Sequence, residues 1–416
     1  MSAGRLLVVG AGQAGVQVAS SARELGWSGP ITLVGQEPDA PYGRPPLSKA
    51  FLQGKLSAES LALRSTAFYQ EQGVDLVLGE RVDHLDLSAG SATAVSGRSW
   101  GFDRLVLATG ARPRTLAIEG AELDGVAVLR DVQHAYALSR RLAAVSDMVV
   151  IGGGFIGLEV AATAAANGIR AAVVEAAPAL LNRVVSTATA EVVETAHRAA
   201  GVDVRIGVRP VRLLGERGTV RAVELADGTE LPAQLVLIAV GAQPNEDLAR
   251  AAGLRCDGGI VVDGCSLTSD GRTLAVGDCA NLPDPTPDGE ADGRLRLESV
   301  DNAIEQAKAA AHTLVGVHRP YRGVPWFWSD QGELKLQIAG LAHPDDDSVV
   351  RTGGRPGRTA VLRYRNDRLV AVECVNNPAE FLAARKALGS GQQLPQAHAA
   401  DAEVPLKKLF AEAHGG

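Results

Sequence analysis

The sequence predicts an α/β protein: two Rossmann-like dinucleotide-binding domains plus a C-terminal α+β domain. Three observations predict it. One local pattern occurs twice: residues 6–15 read LLVVGAGQAG and residues 148–157 read MVVIGGGFIG, each a short apolar run entering G-x-G-x-x-G. Apolar runs without alternation then close on Gly-Ala turns at 105–113 (LVLATGARP) and 235–245 (LVLIAVGAQPN). Such runs suit strands buried on both faces of a parallel sheet. Near the C-terminus the texture changes to alternating segments, LKLQIAGL, TAVLRY and RLVAVECV, as in a smaller antiparallel sheet.

The elements follow in order. After the first glycine loop a helix is expected over 16–25, then a strand, ITLVG, at 31–35. After the second loop a helix is expected over 158–166, then a strand, AAVVE, at 171–175. A further buried-type strand, TLAVGD, spans 273–278 and returns the chain to the first domain. The first domain therefore takes 1–112 and 243–318, the second 113–242, and the α+β domain 319–416, opening with PWFWSDQ at 325–331. A helix over 378–388 is expected to end at Gly389, and a short one spans 405–413. The charged, proline-rich stretches 283–292 and 344–347 read as surface loops.

Composition narrows the function. A length of 416 residues suits two or three domains at roughly 150 residues each. With 46% hydrophobic and 21% charged residues the chain is not disordered. Its 47 glycines follow no three-residue period, so it is not collagen-like. Only 4% of residues are aromatic and the net charge is −7, which argues against a nucleic-acid binder. No apolar run approaches the ~18 residues of a membrane span, and the first strand begins too early for a signal peptide. Cys256, Cys265, Cys279 and Cys374 are scattered, with no CxxC and no metal-ligand cluster. They read as reduced thiols of a cytoplasmic protein without a metal.

The glycine loops carry the chemistry. Gly10 permits the tight turn after the strand, Gly12 lets the backbone approach a pyrophosphate, and Gly15 lets helix and strand pack closely. Gly152, Gly154 and Gly157 repeat the set. Each helix N-terminus offers unpaired N–H groups to phosphates. In the first unit either Gln36 or Glu37 takes the ribose contact. In the second, Glu175 stands directly after Val174, with Ala176 and Ala177 following and no arginine. A carboxylate there binds the ribose 2′-OH and repels a 2′-phosphate, which favours NADH over NADPH. Two dinucleotide folds in one chain imply two dinucleotides, FAD and NAD, with hydride passing from nicotinamide to flavin.

The sequence resembles the FAD- and NADH-dependent ferredoxin reductases of bacterial cytochrome P450 and ring-dioxygenase systems, whose frame is glutathione-reductase-like. The matching stretches are PYGRPPLSKAFL (41–52), ESLALR (59–64), RLVLATGARPR (104–114), VVIGGGFIGLEVAA (149–162), AVGDCA (275–280), ESVDNAIEQA (298–307) and PWFWSDQ. They cover essentially the whole chain; PPLSK with PWFWSDQ discriminates best, the glycine loops least. The resemblance implies that Lys49 lies beside the reactive flavin edge with Glu159 as its partner, these two being the candidate catalytic residues. It implies that Asp278 bonds the ribityl chain, and that Arg44, Pro46, Val82, Arg130 and Val300 cradle the flavin. The candidate cofactor-binding set also includes Ala14, Ala108, Thr109, Gly110, Gly277, Phe155, Ile156, Gly241 and Trp328. Gln36 and Asp301 depart from the family's usual acid and proline.

No cysteine precedes Cys256, which excludes the thiol relay that disulfide reductases of this frame need beside the flavin. Electrons must then leave through the exposed flavin edge. The resemblance implies a [2Fe–2S] ferredoxin as acceptor and, through it, a cytochrome P450; a monomer is the default expectation for the reductase. Trp326 and Trp328 would lie near the outer flavin edge, and Arg64, Lys308, Lys335, Arg385 and Lys407 are candidate docking cations. Other possibilities are a rubredoxin or dioxygenase-system reductase, or a flavin-bound interaction protein resembling apoptosis-inducing factor.

Overall fold

The computed structural model describes residues 4–286, 293–352 and 357–413; residues 287–292 of the expected surface loop lie outside them. The chain forms two compact units: Met1–Gly43, Ala58–Arg112 and Gln243–Pro325, then Arg44–Ser57, Pro113–Ala242 and Trp326–Gly416.

The first unit is built on a five-stranded parallel sheet, in the order Leu274–Ala275, Arg104–Leu107, Leu6–Val9, Ile31–Val34, Val74–Val77. Leu6–Val9 is buried along its whole length, which is why its sequence does not alternate. Helices Gln13–Glu24 and Val300–Leu314 pack on one face, with Val18, Ala22, Ala303 and Ala307 in one core. The chain leaves Leu6–Val9 toward Ile31–Val34 on one side, while Arg104–Leu107 pairs on the other. The C-terminal end of Leu6–Val9 is thus a topological switch point, where open α/β sheets take ligands.

The second unit repeats the plan with strands Asp203–Ile206, Arg170–Glu175, Asp147–Ile151, Leu235–Ile238 and Val126–Ala127, all parallel. Residues 44–57 belong to this unit, anchored by a buried ion pair between Lys49 and Glu159 and by Phe51 edge-on to Tyr136. It also holds a five-stranded antiparallel sheet, in the order Trp326–Gln331, Leu334–Gly340, Arg368–Val375, Thr359–Arg365, Asp347–Arg351. Helices Pro378–Ser390 and Leu406–Glu412 accompany that sheet. Among the described residues no helix is long and apolar enough to cross a membrane.

Four boundaries differ from the sequence expectation. Both glycine-loop helices begin earlier, at Gln13 and Phe155, because the last loop glycine is already helical. The strand expected over 273–278 stops at Ala275, and Gly277–Cys279 forms a 3-10 turn. The helix expected to end at Gly389 continues to Ser390. Its left-handed cap is Gly391, closed by Gln392 N–H donating to the Ala387 carbonyl at 2.9 Å.

Candidate functional site: two glycine cradles and a buried lysine–glutamate pair

In the first unit Gly10 has φ of +114°, and a Cβ there would stand 2.1 Å from the Ala108 carbonyl oxygen. Only glycine fits that turn. A Cβ on Gly15 would meet the Gly10 carbonyl at 1.9 Å, so helix and loop are in backbone contact. At Gly12 a Cβ would meet open space. Gly12 is also the N-cap of helix Gln13–Glu24, with no side chain capping it. The first-turn N–H groups are therefore offered to a ligand, and the cradle fits a dinucleotide pyrophosphate.

Around the cradle, Thr109 donates its hydroxyl to the Asn245 carbonyl at 2.7 Å, and Asn245 returns an amide N–H to the Thr109 carbonyl at 2.8 Å. Gly110 accepts from Asn245 N at 2.9 Å. Gly277 lies against Ala14 and donates its N–H to buried Gln306 at 2.7 Å. Asp278 is half-buried in the same turn, and its carbonyl accepts from Arg296 at 3.2 Å. Gln36 is exposed; Glu37 is half-buried and accepts from the Tyr42 hydroxyl at 2.5 Å. Val82 is buried at the start of strand Val82–Asp86, and Val300 begins the helix capped by Ser299.

The second unit repeats the cradle. Gly152 has φ of +112°, with the Ala239 carbonyl 2.4 Å from a would-be Cβ; Gly154 is open; Gly157 touches the Gly152 carbonyl. Gly154 caps helix Phe155–Ala166 without a side-chain acceptor. Ile156, in the first turn, is 43% exposed, and Gly241 accepts from Arg114 N at 2.9 Å. Glu175 accepts from Gly153 N–H and Ala177 N–H, both at 2.7 Å. Its carboxylate is therefore fixed against the glycine loop. These residues also fit a dinucleotide.

Elsewhere in the second unit Lys49 Nζ stands 3.0 Å from Glu159 Oε1, with side chains 13% and 5% exposed. The pair is brought together by the short helix Pro45–Ser48, whose two prolines preset its turn, and by helix Phe155–Ala166, buried on nearly every side. Ser48 donates its hydroxyl to Glu159 Oε2, and Ser329 donates to Oε1 at 2.6 Å. Burial pushes the Glu159 carboxyl above the usual range, while Lys49 and the serine hydroxyls pull it back down. Lys49 Nζ also sits 5.9 Å from the Trp328 ring centroid, and Trp328 stacks on Trp326 at 5.2 Å. Both tryptophans are half-buried. Arg44 donates to the Arg130 carbonyl at 2.7 Å, which keeps Arg44, Pro46 and Arg130 in one region of this unit.

All four cysteines are free, and burial raises the pKa of each thiol. A thiol held protonated is a poor nucleophile. Of the candidate docking cations, Lys308 pairs with its helix neighbour Glu305 at 2.7 Å and Arg385 covers the Trp326 ring at 4.5 Å. Arg64, Lys335 and Lys407 are exposed.

Ser48, Ser329, Gln331 and His197 lie in the site and were not singled out from the sequence. Ser329 and Gln331 sit inside PWFWSDQ, where the aromatics drew attention; His197 carries no local signal. His197 is buried and bonds Gln331 Oε1 at 2.8 Å, and burial lowers its pKa. An unfolded histidine takes up its proton near pH ~6.5, whereas folded His197 resists until lower pH. Its contribution to stability is therefore full above that pH and falls as pH drops from about 6.5 toward the lowered folded value. Thermal denaturation across that window should show a smaller loss in His197→Gln; identical slopes would contradict it.

The pyridine nucleotide-disulphide oxidoreductase family model matches residues 4–307, and the reductase C-terminal family model matches 326–410. Rhodocoxin reductase of Rhodococcus erythropolis is 42% identical over 98% of this chain and 94% of its own length. A solved ferredoxin reductase from Rhodopseudomonas palustris is 40% identical, with a TM-score of 0.93, covering 97% of this chain and 99% of that one. The reductase in a covalent putidaredoxin reductase–putidaredoxin complex is 39% identical, with a TM-score of 0.95 and full coverage of both chains. With both cradles, the parallel sheets and the antiparallel C-terminal sheet in place, the chain belongs to the pyridine nucleotide-disulphide oxidoreductase family.

Proposed function

We propose that the protein is an FAD-containing NADH:ferredoxin oxidoreductase that supplies a [2Fe–2S] ferredoxin, and through it a cytochrome P450 or related oxygenase. The observation that carries this reading is the buried Lys49–Glu159 pair in a chain whose thiols are all held protonated. The similarity to rhodocoxin reductase and to a reductase solved with its ferredoxin supports it. When bound, FAD would supply a hydride acceptor for NADH and a one-electron donor for the iron–sulfur partner.

The chain's residues supply binding, orientation and charge. The Gly10–Gly15 loop would hold the FAD pyrophosphate, Gln36 or Glu37 the ribose, and Asp278 the ribityl chain, with Ala14, Val82, Ala108, Thr109, Gly110, Gly277 and Val300 around them. Arg130 would supply positive charge to the FAD phosphates, and Arg44 and Pro46 would line the same side. Lys49, held by Glu159, would supply a fixed positive charge to the flavin's reactive edge. The second loop, with Phe155, Ile156 and Gly241, takes NADH. Trp328 lines the exit for electrons. We read the enzyme as a cytoplasmic monomer.

NADH-driven cytochrome c reduction should depend on added [2Fe–2S] ferredoxin; equal rates with rubredoxin, or none with either, would overturn the reading. Glu175 sets the cofactor preference. Glu175→Ala should raise the KM for NADH by roughly 10-fold or more, the worth of a charge-assisted hydrogen bond, and narrow the gap to NADPH. Unchanged discrimination in steady-state assays would remove Glu175 from that role. Reversing Arg64, Lys335 and Lys407 together should lower ferredoxin-linked turnover while NADH:ferricyanide activity holds. Equal losses in both would count against docking there.

A further inference from the structure

Within the second unit a hydrogen-bond chain runs away from the Lys49–Glu159 pair. Ser329 Oγ lies 2.6 Å from Glu159 Oε1, Gln331 Nε2 lies 3.1 Å from Ser329 Oγ, and His197 Nε2 lies 2.8 Å from Gln331 Oε1. Every member is buried. His197 Nδ1, at the far end, is buried without a hydrogen-bond partner among the described residues.

The chain can point only two ways. With Glu159 ionised the carboxylate accepts, so Ser329 spends its one proton on Glu159 and must accept from the Gln331 amide N–H. Gln331 Oε1 then faces His197, which must carry its proton on Nε2. What remains unpaired is the lone pair on Nδ1. With Glu159 protonated on Oε1 every bond reverses: the Gln331 amide turns over so that its oxygen accepts from Ser329 and its N–H donates to His197 Nε2, His197 carries its proton on Nδ1, and a buried N–H donor is stranded. Stranded donors are rarer in proteins than stranded lone pairs. A proton on Oε2 would instead turn the Ser48 hydroxyl to the Pro45 carbonyl at 3.4 Å, a poor bond. Lys49 is the charged group that acts on Glu159, and Gln331 the polar group that acts on His197.

We propose that His197 is a positioning residue: acting through Gln331 and Ser329, it fixes the direction of the donor chain so that Glu159 stays the acceptor and Lys49 keeps an anionic partner. The consequence for catalysis rests on the function proposed above; the direction of the chain does not.

Side-chain 15N NMR of the histidine-labelled holoprotein reads the direction, with the His197 signals assigned by their loss in His197→Gln. The proposal expects a neutral ring protonated on Nε2 between about pH 6 and 8. A ring protonated on Nδ1 would overturn it. Infrared spectra, with the carboxylic band assigned by Glu159→Gln, give a second reading. Ser329→Ala should move Glu159 protonation upward by roughly one pH unit, and Ser329→Thr should restore it. His197→Phe should give a smaller shift in the same direction, and His197→Gln, which keeps an N–H at the Nε2 position, should reverse it. A Glu159 titration unmoved by both Ser329→Ala and His197→Phe would sink the proposal. If these shifts hold while Glu159→Gln leaves flavin reduction by NADH unchanged, the donor chain stands and the functional role of the pair falls.

Discussion

Lys49→Met should lower the rate of flavin reduction by NADH by about 10²-fold or more, the scale seen when one preorganised charge or donor is removed from a reacting centre. NADH binding should change far less, because the second glycine loop and Glu175 are untouched. The same substitution should also destabilise the fold. It leaves the Glu159 carboxylate buried without its cation, and breaking one half of a buried pair costs about 3–5 kcal/mol. Removing Lys49 also removes the charge that pulls the Glu159 carboxyl back down, so its pKa should rise further. The double variant Lys49→Met/Glu159→Gln should therefore recover stability without recovering rate. Stopped-flow reduction and thermal denaturation of the three proteins separate the two effects. A Lys49→Met rate within twofold of the parent would remove the lysine from the reaction.

Gly10→Ala should yield protein with at least tenfold less bound flavin and markedly lower stability. Its Cβ would stand 2.1 Å from the Ala108 carbonyl, in a backbone conformation with φ of +114°. Backbone strain and overpacking together cost about 2–5 kcal/mol. Gly12→Ala is the instructive contrast. Its Cβ meets open space, so the fold should survive, but the methyl group occupies the approach of the pyrophosphate. Flavin absorbance per protein chain should fall in both variants and the melting temperature chiefly in the first. A yellow, normally stable Gly10→Ala protein would contradict the assignment of that turn.

Local spacing made much of this molecule readable in advance. A glycine loop between an apolar run and a helix declares its strand, turn and helix within ten residues, and both copies do so here. Boundaries were less legible, because Gly15 and Gly157 are loop residues by motif and helical by backbone. Gly389 is the stop the sequence suggests, but the left-handed cap falls at Gly391, closed by the bond from Gln392 to Ala387. The environment of Glu159 was the least legible part. Its partners Ser48 and Ser329 come from 111 and 170 residues away, and His197 meets Gln331 across 134. No periodicity links such positions; they meet because strand Trp326–Gln331 packs against helix Phe155–Ala166 in the folded unit.

In the proposed function electrons pass from NADH through flavin to an iron–sulfur protein without a thiol relay. The most direct test of this route is an anaerobic single turnover: one equivalent of NADH is added to the holoprotein, which is then mixed with excess oxidised [2Fe–2S] ferredoxin. A variant with Cys256, Cys265, Cys279 and Cys374 all replaced by serine or alanine is run in parallel. The account predicts two ferredoxins reduced per NADH at similar rates in both proteins. Reduced flavin that leaves the ferredoxin oxidised, or a cysteine-free protein that keeps its flavin and loses the transfer, would contradict it.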